Sequence, residues 1–197
     1  MTSKNICNIC GKKVDFLFKK KVLNKYLVNY FKCAKCSLIQ TEKQYWLKES
    51  YESPIFNADT GLLSRNVLLT KIVSSLIYFL FDSKEKYLDY AGGYGVFTRL
   101  MRDVGFDYYW DDPFSKNLFA DKFQYSKNTK YEVITAFEYF EHIDNPLEEI
   151  ETIFNKFKSS ALIFTTTFYP EKLKDDWWYF MYESGQHISF YKKETFK

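Results

Sequence analysis

The sequence predicts an α/β fold: a doubly wound, mostly parallel sheet preceded by a small metal-binding module. Three observations carry this. From about residue 62 to 167, short β-branched or aromatic runs alternate with helix-period segments, the pattern that builds a parallel sheet with helices on both faces. A turn of small residues, Ala91-Gly92-Gly93-Tyr94-Gly95, follows one such run and opens a helix. All four cysteines lie before residue 37, in two pairs.

The elements can be justified in order. Residues 62–80 place Leu63, Val67, Ile72, Leu76 and Leu80 near one face at helical spacing, so an amphipathic helix should pack on the sheet by that face. Residues 87–90 read as a short buried strand. A helix follows from about 96 to 104, with Gly105 as its stop. Residues 106–110 read as a second strand, ended by Asp111-Asp112-Pro113, and 131–137 as a third. The helix at about 146–158 has Asn145 as cap, Pro146 in the first turn, and Glu148 and Glu149 at the positive end of its dipole. Residues 161–167 make a β-branched strand. After Phe190 only seven residues follow, resembling the start of a helix, whereas a complete sheet of this class carries one or two more strands. A curtailed fold and a fragment are equally consistent with that. The chain divides into residues 1–42 (metal module), 43–82 (linker and helix) and 83–197 (sheet domain).

The 197 residues suffice for one α/β domain with an appendage, and 46% hydrophobic content excludes a disordered chain. The net charge of +3 is mild. Its densest basic cluster, Lys19-Lys20-Lys21, falls between the cysteine pairs, where it reads as a solvated loop, so no nucleic-acid partner is expected. No export signal precedes the cysteines. The most apolar stretch, 62–81, is interrupted by Arg65, Asn66 and Lys71. A cytoplasmic protein without a membrane span is therefore expected. Oligomeric state is left open.

Cys7-x2-Cys10 and Cys33-x2-Cys36 are separated by 22 residues. Two intervening residues let both thiolates of a pair reach one ion, and two such knuckles complete a tetrahedron. Gly11 supplies the backbone freedom a knuckle needs. Without an export signal, disulfides are disfavoured. A zinc-ribbon-like module with a structural zinc ion on Cys7, Cys10, Cys33 and Cys36 follows, because four thiolates leave no open coordination position.

Small residues in the turn at 91–95 let backbone approach a ligand, and the helix start offers N–H donors. Asp112 stands 17 residues after Gly95, at the tip of the next strand. A carboxylate there can accept both hydroxyls of a ribose. Asp111 competes for the role, and Asp112 is preferred because the residue before Pro113 must be extended. Two neighbouring strand tips, one glycine-rich and one acidic, thus suggest a nucleoside site.

Here the chain resembles a known family. Asp89-x-Ala91-x-Gly93-x-Gly95 resembles the acid-x-Gly-x-Gly-x-Gly signature of class I S-adenosylmethionine methyltransferases, whose fold is Rossmann-like; Ala91 replaces the first glycine. Asp112-Pro113 resembles the acid–proline pair after their second strand. The segment from Phe137 and Glu138 through Glu141-His142 to Pro146 resembles the one after their fourth strand. Gly185-Gln186-His187-Ile188-Ser189-Phe190-Tyr191 is similar to a segment of a subgroup that also carries an N-terminal cysteine module and methylates sugars and surface polysaccharides. The resemblance implies S-adenosylmethionine as cofactor, a small molecule or glycan as substrate, and a place in polysaccharide biosynthesis. It implies that Asp89, Gly93 and Gly95 line the amino-acid end of the cofactor, with Ala91 and Gly92 in the same cofactor-binding turn, that Asp112 holds the ribose, and that Phe137 and Glu138 border the methionine portion.

A hydroxyl acceptor needs a base. The only histidines, His142 and His187, both fall where the carboxyl edge of the sheet is expected, and they are the catalytic candidates. Trp177, Trp178, Tyr179 and Tyr182 form either an aromatic wall for a sugar or a lid's core. Two rival readings remain. One is a nicotinamide-dependent oxidoreductase, against which the turn lacks Gly-x-Gly-x-x-Gly spacing. The other is a non-catalytic nucleotide- or partner-binding module on a degenerate methyltransferase fold.

Overall fold

The computed structural model describes residues 6–52 and 60–197. The chain forms two compact units. The first comprises Met1–Ser53, Glu138–Glu149 and Thr166–Lys197; the second comprises Pro54–Phe137 and Ile150–Thr165. The units are therefore not consecutive blocks of sequence divided near residues 42 and 82. Two later segments of the chain fold with the cysteine-bearing one.

In the first unit, strands β1 (Val14–Val22) and β2 (Tyr26–Cys33) form an antiparallel hairpin. Its two central turn residues, Leu23 (φ 53°) and Asn24 (φ 52°), are both left-handed, as a type I′ turn demands. Strand β3 (Ile39–Thr41) adds to β2, and a two-residue strand, Ser189–Phe190, adds to β3. The result is a four-stranded antiparallel sheet. Lys19, Lys20 and Lys21 lie on β1, opposite Asn29, Val28 and Leu27, and not in a loop as the sequence suggested. Three adjacent lysines interrupt the alternation by which a strand is recognised. Trp46, which leads into a short helix α1 (Leu47–Ser50), packs with Val28, Tyr30, Ile39, Phe180 and Phe190 in the core, and its indole N–H donates to the Gly185 carbonyl at 2.8 Å. Trp177, Tyr179 and Tyr182 join that core, whereas Trp178 is 68% exposed. The C-terminal aromatic run is thus mainly packing material.

The second unit is the parallel sheet, and the Rossmann-like α/β class is as expected. Its first element is helix α2 (Leu62–Leu80). Then come β4 (Lys86–Tyr90), α3 (Val96–Val104), β5 (Asp107–Asp111) and β6 (Val133–Phe137). Helix α4 (Pro146–Phe157) leads to β7 (Ala161–Thr165). The strand order is β5-β4-β6-β7, all neighbours parallel. Gly105 caps α3 at φ 114°, a conformation that favours glycine. The order reverses between β4 and β6, and the space beyond the carboxyl ends at such a reversal is the usual ligand position in sheets of this class.

Helix α2 buries a different face from the one its spacing suggested. Leu69, Val73 and Ile77 pack with Tyr87, Phe97, Met101, Tyr108 and Val133, while Leu63, Val67, Ile72 and Leu80 are exposed. The helix is apolar on nearly every side, so periodicity could not choose between stripes. By length and composition alone α2 is also apolar enough to cross a membrane, contrary to the reading of 62–81 from its polar interruptions; 22% of that window is buried.

Candidate functional site

The two cysteine knuckles are built alike. Cys7 N–H donates to the Lys12 carbonyl at 2.7 Å and Gly11 N–H to the Cys7 carbonyl at 3.0 Å. In the second, Cys33 N–H donates to Leu38 at 2.8 Å and Ser37 N–H to Cys33 at 3.0 Å. Gly11 (φ 66°) and Ser37 (φ 62°) hold the same left-handed position. Each knuckle turns its pair of sulfurs to one side. The Sγ atoms of Cys7 and Cys36 are 3.4 Å apart, as are those of Cys10 and Cys33, and all four lie within 4.8 Å of one another. A tetrahedral zinc site has sulfur–sulfur edges of about 3.8 Å. The donor set fits a zinc ion, which Cys7, Cys10, Cys33 and Cys36 would hold in a closed shell.

The turn after β4 alternates in handedness. Ala91 (φ 55°), Gly93 (φ 54°) and Gly95 (φ 81°) are left-handed. Ala91 therefore carries a side chain where the family's first glycine stands, in a conformation that disfavours one by about 1 kcal/mol or more. Ala91, Gly92 and Gly93 remain partly exposed, whereas Gly95 is buried. A methyl group on Gly95 would meet Asn117 Oδ1 at 2.5 Å, and one on Gly92 would meet Asp89 Oδ2 at 2.6 Å and Trp110 at 2.7 Å. Gly92 and Gly95 thus let neighbouring side chains close on the turn.

Asp89 is 2% exposed. It accepts hydrogen bonds from Thr98 on α3 (3.2 Å) and Thr135 on β6 (3.1 Å). Burial pushes its carboxyl up to about 7, against the pull of those hydroxyls and with a further push from Asp112. Its side chain ties β4, α3 and β6 together beneath the turn. Asp112 lies at the surface of the turn. Gly93 N–H donates to its Oδ2 at 2.9 Å, and Phe114 and Ser115 N–H donate to Oδ1 at 2.8 and 3.0 Å. Its neighbour Asp111 is engaged by Lys156 at 2.6 Å. The two acids that compete in sequence are thus separated by their partners. An ionised carboxylate offers about four acceptor positions, so Asp112 keeps capacity for a hydroxyl. Together with the exposed turn backbone and the N–H groups at the start of α3, it fits a nucleoside. At the tip of β6, Phe137 stacks edge-on against Phe97 with centroids 4.9 Å apart.

Glu138, directly after β6, belongs to the first unit and is left-handed (φ 49°). A one-turn 3-10 helix, Phe140–His142, follows. Within this unit Glu141, His142 and His187 come together, with one potential ligand atom from each within 4.8 Å of the others. The two imidazole rings meet edge to face, centroids 4.8 Å apart. Glu141 is fully buried and receives the Tyr179 hydroxyl in a short hydrogen bond; Tyr179 also reaches Glu138 Oε2 at 3.3 Å. His187 Nδ1 lies 2.8 Å from the Tyr179 carbonyl, and His142 Nδ1 lies 3.1 Å from the Gln186 carbonyl and 3.1 Å from the Tyr51 hydroxyl. A carbonyl only accepts, so each Nδ1 carries the hydrogen. Burial lowers His142 to about 4, although the Gln186 and Glu138 carbonyls favour its protonated form. Burial, then His142, lowers His187 to about 3. Both rings are neutral near pH 7. The sequence singled out the two histidines, and Tyr179 only as part of an aromatic wall or lid core, but not Tyr51, because an aromatic-rich chain gives no local sign of which tyrosines reach a site.

The family model described as a methyltransferase domain matches residues 65–197. The chain belongs to that family. No curated protein matches it. The family, the parallel sheet and the turn after β4 agree on a class I S-adenosylmethionine-dependent methyltransferase domain. The match begins within α2 and takes in the whole parallel sheet, the His142 segment and His187. The cysteine knuckles lie outside it.

Proposed function

We propose that this methyltransferase moves a methyl group from S-adenosylmethionine to a hydroxyl oxygen of a small molecule or glycan, with a sugar hydroxyl favoured. The observation that carries the reading is the joined pair of strand tips: the left-handed, partly exposed Gly93 and the Asp112 carboxylate it holds. Asp112 would take the ribose, and 91–93 the amino-acid end. When bound, the cofactor supplies an activated methyl group on a sulfonium. The acceptor oxygen forms the new bond to carbon as the carbon–sulfur bond breaks, sulfur leaves as a neutral thioether, and the hydroxyl proton departs. We assign that proton chemistry to His142 and His187, neutral imidazoles that meet edge to face within the first unit. Preference for a sugar rests on the cysteine knuckles accompanying the segment around His187. Calorimetric titration is the test. S-adenosylmethionine and S-adenosylhomocysteine are expected to bind and NADH not to. Binding of NADH alone would support an oxidoreductase, and binding of none a non-catalytic module.

A further inference from the structure

We propose that Glu141, His142 and His187 form a second metal site, for a single divalent first-row ion, separate from the four cysteines. Two imidazoles and one carboxylate are a common donor set for zinc and related ions, one that leaves a coordination position open. The three donor atoms lie within 4.8 Å of one another. Bonds of about 2.1 Å to one ion need spacings of about 3.4 Å, so the cluster would tighten on binding.

What distinguishes this cluster from a chance gathering is the support behind each donor. Metal-binding histidines almost always donate their other N–H to a carbonyl or carboxylate, which fixes ring and tautomer, and ligating carboxylates are themselves hydrogen-bonded. Here His187 donates Nδ1–H to the Tyr179 carbonyl and His142 to the Gln186 carbonyl. Glu141 receives the Tyr179 hydroxyl. Tyr179 thus serves two of the three donors, through its backbone and through its side chain.

Ion binding stands without the proposed methyl transfer. It rests on that reading only for its use, and would alter it: with both imidazoles bound to the ion neither can accept the acceptor's proton, and an acceptor oxygen on the open position would instead be acidified by the ion and release its proton to water.

The test is metal stoichiometry of the full chain, with no cofactor or acceptor present. After chelation and reloading with Co(II) alone, the wild type is expected to bind two ions. One should show the intense thiolate bands of the cysteine site, the other only the weak bands of nitrogen and oxygen ligation. Glu141→Gln, which keeps shape, and His187→Ala should each lose the second ion by at least tenfold in affinity and retain the thiolate bands, which also report that the cysteine unit is folded. A wild type that binds one ion, or a second ion retained by both variants, would overturn the proposal. Either result leaves cofactor binding by titration untouched, so the two readings fail separately.

Discussion

The Gly93 amide donates to Asp112 Oδ2 at 2.9 Å, so the turn after β4 and the tip of β5 are one hydrogen-bonded unit. Asp112 also organises the backbone of the segment that follows it through Phe114 and Ser115. Asp112→Ala should therefore weaken S-adenosylmethionine binding at least tenfold, with Asp112→Asn intermediate, while the melting temperature moves by only a few degrees. Undiminished affinity in calorimetry would remove Asp112 from the cofactor site.

Asp89 predicts a pH dependence of stability. In the unfolded chain its carboxyl titrates near 3.8, and in the fold near 7, because burial outweighs the bonds from Thr135 and Thr98 and the Asp112 charge adds to it. The folded state then holds a proton that the unfolded state has lost, and stability falls as pH rises between those values. This contribution is complete below about pH 4 and gone above about 7, a loss on the order of a few kcal/mol. Asp89→Asn, whose side chain cannot ionise, should show a flatter profile in denaturant titrations from pH 4 to 8. Parallel curves for the two proteins would contradict the assignment.

Helix α2 offers a comparison within one element. Ile77 is fully buried and Leu80 is 66% exposed. Ile77→Ala should cost about 2–4 kcal/mol, whereas Leu80→Ala should stay within about 0.5 kcal/mol. Equal losses, measured by chemical denaturation, would mean that the helix packs by another face.

The cysteine knuckles predict dependence on a metal ion. Cys7→Ser should lower metal affinity sharply and destabilise the sheet that Cys33 joins through β2, and strong chelation should act in the same direction. Unchanged thermal melting after both treatments would argue against a structural ion.

The sequence by itself determined what is local. Strands 86–90, 107–111, 133–137 and 161–165 were legible as apolar runs within two residues of their ends, α2 by its length, and the cysteine pairs by a spacing that two metal knuckles satisfy. The glycine-rich turn could be read because left-handed backbone leaves a compositional mark. Tertiary structure decided what depends on distant partners. Which stripe of α2 is buried was settled by the sheet it meets, since hydrophobicity was available on nearly all sides. The return of Ser189–Phe190 to β3 was settled by strand pairing across about 150 residues, for which two residues carry no signal. The meeting of His187 with Glu141 and His142, some 45 residues away, follows from that same pairing: Ile188 N–H binds the Glu141 carbonyl at 2.8 Å, next to the strand that joins β3. Periodicity reports what a segment prefers to bury, and only the folded chain decides against what.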